Sequence, residues 1–247
     1  MRGDFTGLAM GTFEILFGIK TREVSRICVL LPLAPDDILA GLHAPALSRG
    51  KLYSAGSSRG FTVIRTGVGA ALAGDAVLWL GETACEEMVL LGSCGLTGRT
   101  KNLKVGSLIS PSVCYSAESF CRLLDKDSQP WSRHEADRRF REVLVGEEGS
   151  AVHDAACLTI GSLKLQEEML PLLRAGGIDA VEMECASVYA AAHHTGRRAA
   201  ALLYATDIIG EKPFHAPLSR GDRSAIAIAV KEATALICRI TERSLHG

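Results

Sequence analysis

Two glutamates two residues apart, Glu182 and Glu184, stand in the otherwise apolar run Ala180-Val181-Glu182-Met183-Glu184-Cys185-Ala186. A carboxylate in apolar surroundings is costly unless it is paired or used. Glu184 is therefore a candidate binding group, because one carboxylate accepts hydrogen bonds from two vicinal sugar hydroxyls. Glu182 reads either as a second functional acid or as a solvated charge at a helix start. Asp207, in Ala205-Thr206-Asp207, closes another apolar run. An acid at the carboxyl end of a buried strand is well placed to meet a ligand, and Arg220 and Arg223 follow closely enough to set its proton affinity. A Glu–Asp pair also fits a glycoside hydrolase working through paired carboxylates.

Two glycine-bearing segments complete the set. Gly92-Ser93-Cys94-Gly95 follows the apolar run Met88–Leu91, and its small residues leave room for a ligand beside a strand end. Ser93 lacks the G-x-S-x-G frame of a nucleophilic serine. Cys94 reads as a buried structural thiol, since no cation is placed beside it in the sequence. Thr66-Gly67-Val68-Gly69 is either an anion-binding strand-to-helix turn or simply a tight turn. Leu72 replaces the third glycine of a dinucleotide fingerprint, which excludes that reading. His193 and His194 are adjacent rather than four apart, so they belong on a solvated helix face and no metal site is expected.

Such residues must be positioned by rigid elements. Short runs rich in Val, Ile and Leu (Ile27–Leu33, Phe61–Ile64, Met88–Leu91, Ser107–Ser110, Leu158–Ile160, Ala199–Tyr204) read as strands buried on both faces. Helical patterns lie between them, over Ala71–Ala84, Ala180–His194 and Arg223–Arg243, the last with Asp222 as N-cap. Strand and helix in alternation predict an α/β fold: a single-domain three-layer α/β/α sandwich with a central mixed, largely parallel β-sheet. The domain is expected to span 1–247, with 1–25 a peripheral N-terminal extension. The polar stretch Ala117–Gly149 is expected to hold a loop and a helix around Glu135–Val145 that cover the site.

The totals exclude several classes. Among 247 residues, 27 Lys and Arg face 28 Asp and Glu, a net charge of −1. Neither nucleic acid nor an anionic membrane is then an expected partner. Aromatic residues are 5%, too few for base-stacking platforms. No apolar run is long enough to span a bilayer and the start lacks the form of a signal peptide. The eight cysteines include no C-x-x-C pair, as expected of free thiols in a cytoplasmic protein.

In chain order the four segments resemble the nucleoside phosphorylase family, which includes hexameric purine phosphorylases, uridine phosphorylases and related methylthioadenosine-type nucleosidases. GSCG, then VEMECAS, then a strand ending in Thr-Asp carry the resemblance, with 23 residues from Glu184 to Asp207. It runs from about Arg26 to Arg243. It implies cleavage of the N-glycosidic bond of a purine-type nucleoside by phosphorolysis, giving free base and ribose 1-phosphate. It implies roles by position: Glu184 and Met183 hold the ribose, and Asp207, helped by Arg220, protonates the departing base. Ser93, Gly69 and Arg49 meet phosphate, Arg49 in a neighbouring subunit. It also implies a homo-oligomer, a dimer or a hexamer built as a trimer of dimers. The partners it implies are nucleoside and phosphate, with no cofactor beyond phosphate as co-substrate.

Three departures keep alternatives open. Where the phosphorylases carry G-D-P-x-R, this chain has Leu31-Pro32-Leu33-Ala34-Pro35-Asp36-Asp37; where they carry an Arg before GSCG, it has Leu90. The segment that touches the base is Thr159-Ile160-Gly161-Ser162-Leu163, without the family's Asp and Phe. Loss of bidentate arginines weakens phosphate binding and favours a nucleosidase using water activated near Asp36. A nucleoside-binding member without turnover is the third reading.

Overall fold

Apolar runs without polar alternation form strands only if both faces are covered. That is what the computed structural model contains, over described residues 6–44, 46–116, 118–121, 131–146 and 151–246. The strands are β1 (Ile27–Leu31), β2 (Ser48–Arg49), β3 (Ser54–Ser57), β4 (Phe61–Arg65), β5 (Glu87–Leu96) and β6 (Leu108–Ile109). They continue as β7 (Val113–Ser116), β8 (Ser132–Glu135), β9 (Val152–His153), β10 (Cys157–Thr159), β11 (Ala180–Glu182) and β12 (Arg198–Ile208). The helices are α1 (Thr6–Phe17), α2 (Asp36–Gly41), α3 (Ala70–Leu80), α4 (Arg138–Val145), α5 (Leu163–Glu168), α6 (Leu170–Ala175), α7 (Cys185–His194) and α8 (Arg220–His246).

One mixed sheet runs β2-β3-β4-β1-β5-β11-β10-β7-β8, and β12 pairs with both β5 and β6. β1 is parallel to β4 and β5, and β12 is parallel to β5. β11 joins β5 antiparallel. Alternate residues of the central strands enter two separate cores. Cys28, Leu30, Met88, Leu90 and Leu203 pack with α3 and α7 on one side. Val29, Leu31, Val89, Leu91 and Leu202 pack with α2, α4 and α8 on the other. The sheet is thus covered by helices on both faces, the expected three layers.

Three expectations change. The segment Ala180–Glu182 is a strand, not the first turn of a helix, and α7 begins only at Cys185. Its β-branched Val181 and pairing with Gly95 and Leu158 override local helical pattern. The last helix starts at Arg220, and Ser219 rather than Asp222 caps it: the Asp222 N–H donates to Ser219 Oγ at 3.0 Å. Of the segment 1–25, expected at the periphery, Phe13 and Phe17 enter the larger core, where the two rings stack with centroids 4.2 Å apart and Phe17 meets Tyr53. The unpaired carbonyls at the end of α1 are satisfied from the turn after β2: the N–H groups of Lys51 and Tyr53 donate to Ile15 and Leu16 at 2.9 and 3.0 Å. The polar stretch 117–149 yields β8 and α4, with Asp137 capping α4 through the Phe140 N–H. The loop expected to cover the site lies in part outside the described residues.

Candidate active site

β5 does not stop at Leu91. It continues through Gly92-Ser93-Cys94-Gly95 to Leu96, and Ser93 is its one exposed residue. That exposure opens into a cavity of about 260 Å³, a little below the usual size for drug-like ligands and suited to a small molecule. Its walls come from the carboxyl ends of β5, β11 and β12, the turn after β4 and the helix α5.

Asp207 reaches this cavity because β12 is irregular. Ala205 lies across from Cys94 and Asp207 across from Gly95, so Thr206 is an extra residue in the ladder. A bulge of one residue re-aims the side chains beyond it. Ala205 faces the core of α3 and α7, whereas Asp207 leaves the sheet on the opposite face, beside Gly95. The fit there is close: a Cβ on Gly95 would lie 2.9 Å from Asp207 Oδ2. Asp207 is only 4% exposed. Its Oδ1 accepts from the Thr206 hydroxyl at 2.8 Å, and its Oδ2 has no hydrogen-bond partner among the described residues. Burial pushes the carboxyl above the usual range, while the Thr206 hydroxyl opposes the shift.

β11 brings the second acid to the same floor. Val181 pairs with Gly95, which sets Glu182, Met183 and Glu184 beside Asp207 along the cavity wall. Glu182 is not solvated. It is buried, its Oε2 accepts the N–H groups of Glu184 at 2.6 Å and Cys185 at 2.5 Å, and its other oxygen accepts the Thr159 hydroxyl. Glu184 turns the other way, and its Oε1 accepts the Gly69 N–H at 2.7 Å. Burial drives the Glu184 carboxyl upward, and the neighbouring Glu182 charge drives it further; the Gly69 N–H works against both. Gly69 has φ of 118°, open to glycine but strained for other residues.

Four of the sequence-derived residues therefore meet in one cavity: Ser93, Met183, Glu184 and Asp207. Gly69 joins them indirectly, its N–H engaged by Glu184 rather than pointing free at an anion. The other three stand outside the cavity wall. Arg220 is exposed at the first residue of α8, Arg49 is exposed on β2 and Asp36 is exposed at the start of α2. Asp37, next to Asp36, is the acid whose charge reaches Tyr204 in the cavity wall and helps burial raise its hydroxyl. His193 and His194 are exposed at the end of α7, as their spacing suggested.

The structure also adds residues that the sequence did not single out. Gln166, on α5, is buried except where it faces the cavity, and Phe214, 61% exposed, lies at its edge. The only sequence signal for Gln166 was Ser162, whose side chain caps α5 through the Leu165 N–H at 3.2 Å. Among the described lining residues three are carboxylates and none is Lys, Arg or His. Among the described residues no group of three or more His, Cys, Asp or Glu is placed to hold a metal ion, and no helix is long and apolar enough to cross a membrane.

The sequence matches the phosphorylase superfamily over residues 41–242. The chain belongs to that superfamily. Solved structures agree on the fold of this phosphorylase-superfamily chain. Uridine phosphorylase from Vibrio fischeri ES114 is 16% identical, with a TM-score of 0.74 over 90% of this chain and 94% of its own. The 5′-methylthioadenosine/S-adenosyl homocysteine nucleosidase of Campylobacter jejuni is 13% identical, with a TM-score of 0.70 over 89% and 99%. AMP nucleosidase from Bacteroides thetaiotaomicron is 16% identical, with a TM-score of 0.68 over 93% and 96%. A search of curated proteins found no match. Within this phosphorylase-superfamily fold, Leu90, where the family resemblance leads one to expect an arginine, is fully buried in the core between β5 and its helices.

Proposed function

We propose that this chain cleaves the N-glycosidic bond of an uncharged nucleoside, with Asp207 as the acid at the departing base and Glu184 as the grip on the ribose. The observation that carries the proposal is the buried, unpartnered Oδ2 of Asp207, in the same small cavity as Glu184. A buried polar atom with no partner is costly and calls for a ligand. Burial, which raises the Asp207 carboxyl above its usual range, favours the protonated form, which can give its proton to a ring nitrogen as purine N7 would accept it. The amide of Gln166 offers a donor and an acceptor for the base edge. Glu184, with Oε1 on the Gly69 N–H, is placed to accept the vicinal hydroxyls through its remaining lone pairs. Such rigid holding lowers the barrier to a ribosyl cation.

The acceptor proposed is water. The described wall carries three acidic side chains and no cation, a poor setting for a phosphate dianion or a 5′-phosphate. The Asp207 proton goes to the base, the glycosidic electron pair leaves with it, water oxygen bonds to C1′, and the proton that water sheds restores Asp207. Phosphorolysis is the second reading, supported by Arg49, which is exposed and makes no ion pair among the described residues. In a homo-oligomer it would be free to serve a neighbouring copy. The protein needs no cofactor in either reading, and we place it in the cytoplasm.

The test is release of free base from adenosine, inosine, guanosine, uridine and adenosine 5′-monophosphate, with and without phosphate. Release from an uncharged nucleoside in phosphate-free buffer supports hydrolysis. Release only with phosphate overturns the choice of water. No release from any of the five overturns the enzymatic reading, and saturable binding without release points to a nucleoside-binding protein.

A further inference from the structure

Neither the proton transfer nor the attack of water uses Glu182, although it is a buried acid in the cavity wall with every oxygen committed. We propose that Glu182 is a positioning residue for the ribose grip, fixing the main chain from which Glu184 projects and setting the charge behind it. This inference rests on the assignment of Glu184 to the ribose.

The geometry comes in two parts. First, Glu182 and Thr159 together hold three consecutive N–H groups at the start of α7. Glu182 takes those of Glu184 and Cys185, and Thr159 Oγ1 takes that of Ala186 at 2.9 Å while donating its own proton to Glu182. The first N–H groups of a helix have no partner within the helix, so an internal carboxylate here replaces water in a buried place. The Glu184 carbonyl accepts in turn from Ser187 and Val188 at 3.0 and 3.1 Å. The backbone of Glu184 is thus held from both sides, and its side chain reaches the Gly69 N–H in the turn after β4. Met183, between the two acids, is carried by the same fixed segment.

Second, three donors and the positive end of the α7 dipole favour the ionised form of Glu182. Burial acts in the opposite direction on both acids. Between the two, Glu182 keeps the negative charge and Glu184 takes up the proton first as pH falls. Glu182 acts on the thiols of Cys94 of β5 and Cys185 of α7; Cys94 also feels Cys157 of β10 and Asp207 of β12, and Cys185 feels Cys157, Cys114 of β7 and Tyr189 of α7. Burial raises the thiols of Cys94 and Cys185 and keeps them neutral. The charge of Glu182 is then a direct lever on the protonation of Glu184. A simple helix cap would hold the backbone without moving that titration.

The experiment compares Glu182→Gln and Glu182→Ala with the wild type, using carbon-13 glutamate to follow the Glu184 carboxyl and amide exchange at residues 184–186. Glu182→Gln keeps an acceptor for the two N–H groups and drops the charge; the Glu184 midpoint is expected to move to lower pH. Glu182→Ala is expected to speed amide exchange at Glu184 and Cys185 by about tenfold or more. With whichever of adenosine, inosine, guanosine or uridine the wild type cleaves, Glu182→Ala should raise KM about tenfold and change kcat less than about threefold. Glu182→Gln should recover most of that KM. An unmoved Glu184 midpoint in Glu182→Gln, or unchanged exchange in Glu182→Ala, overturns the proposal. If Glu182→Ala does not fold, Thr159→Val, which frees the Ala186 N–H and one Glu182 oxygen, takes its place in the exchange measurement under the same criterion. Wild-type protein that releases base from none of the four nucleosides refutes the proposed function, and the titration and exchange arms still decide the role of Glu182.

Discussion

Replacing Gly95 by Ala tests whether the contact between β5 and the bulge of β12 sets the reacting geometry. The added Cβ would stand 2.9 Å from Asp207 Oδ2 and 3.3 Å from its Cγ and Oδ1. Ordinary contact begins near 3.4 Å, so the carboxyl must give way by about 0.5 Å. It can do so without unfolding the protein, because the cavity lies on its open side. The stability cost then stays at or below the ~1–3 kcal/mol typical of overpacking, a fall of a few degrees in Tm. The catalytic cost is larger in proportion. A misplacement of about 1 Å costs on the order of a hundredfold, so half that distance predicts roughly a tenfold loss in kcat/KM. Base release from the cleaved nucleoside, measured beside thermal melting of the same preparation, provides the assay. Gly92→Ala is the comparison, since its Cβ meets Leu203 and Pro32 only at 3.7 Å and should lose much less. A Gly95→Ala protein with kcat/KM within about threefold of wild type and an unaltered Tm would refute the claim that Asp207 acts from this position.

Asp207→Asn keeps the shape and removes the transferable proton; kcat should fall about 10²- to 10⁴-fold while binding persists, as read by turnover and equilibrium titration. The pH dependence comes from the raised carboxyls of Asp207, Glu182 and Glu184. A folded-state value above the unfolded one contributes stability that is complete below the ordinary carboxylate range and is lost as pH rises through the raised value. Tm measured from acid to neutral pH should therefore decline over that window, and Glu184→Gln should flatten the decline. Cys28, Cys94 and Cys114 are buried, with thiols raised well above their usual value by burial; maleimide should label them only after denaturation, as mass spectrometry will show.

The sequence by itself determined the layers and most of the chemistry. Strand runs such as Ile27–Leu31 and Phe61–Arg65 could be buried only between two helix layers. Carboxylates in the apolar setting of Glu184 and Asp207 had to be used. The VEMECAS segment and the closing Thr-Asp pair carried the family. The sequence also marked Ser93 and Met183, which the fold brings to the same cavity. It could not place Arg49, Arg220 or Asp36 relative to that cavity, because distance along the chain says little about a contact made through a sheet.

Only tertiary structure decided three things. Ala180–Glu182 became a strand because Gly95 and Leu158 were there to pair with Val181; such pairing outweighs local propensity. Glu182 became an internal cap because Thr159, 23 residues earlier, met it on the neighbouring strand. Asp207 turned toward the cavity because one extra residue, Thr206, shifted the register of β12 against β5. Side chains alternate with period two, so a slip of a single residue moves everything beyond it to the other face. That slip is a property of the pairing between two strands, and neither strand's sequence contains it alone.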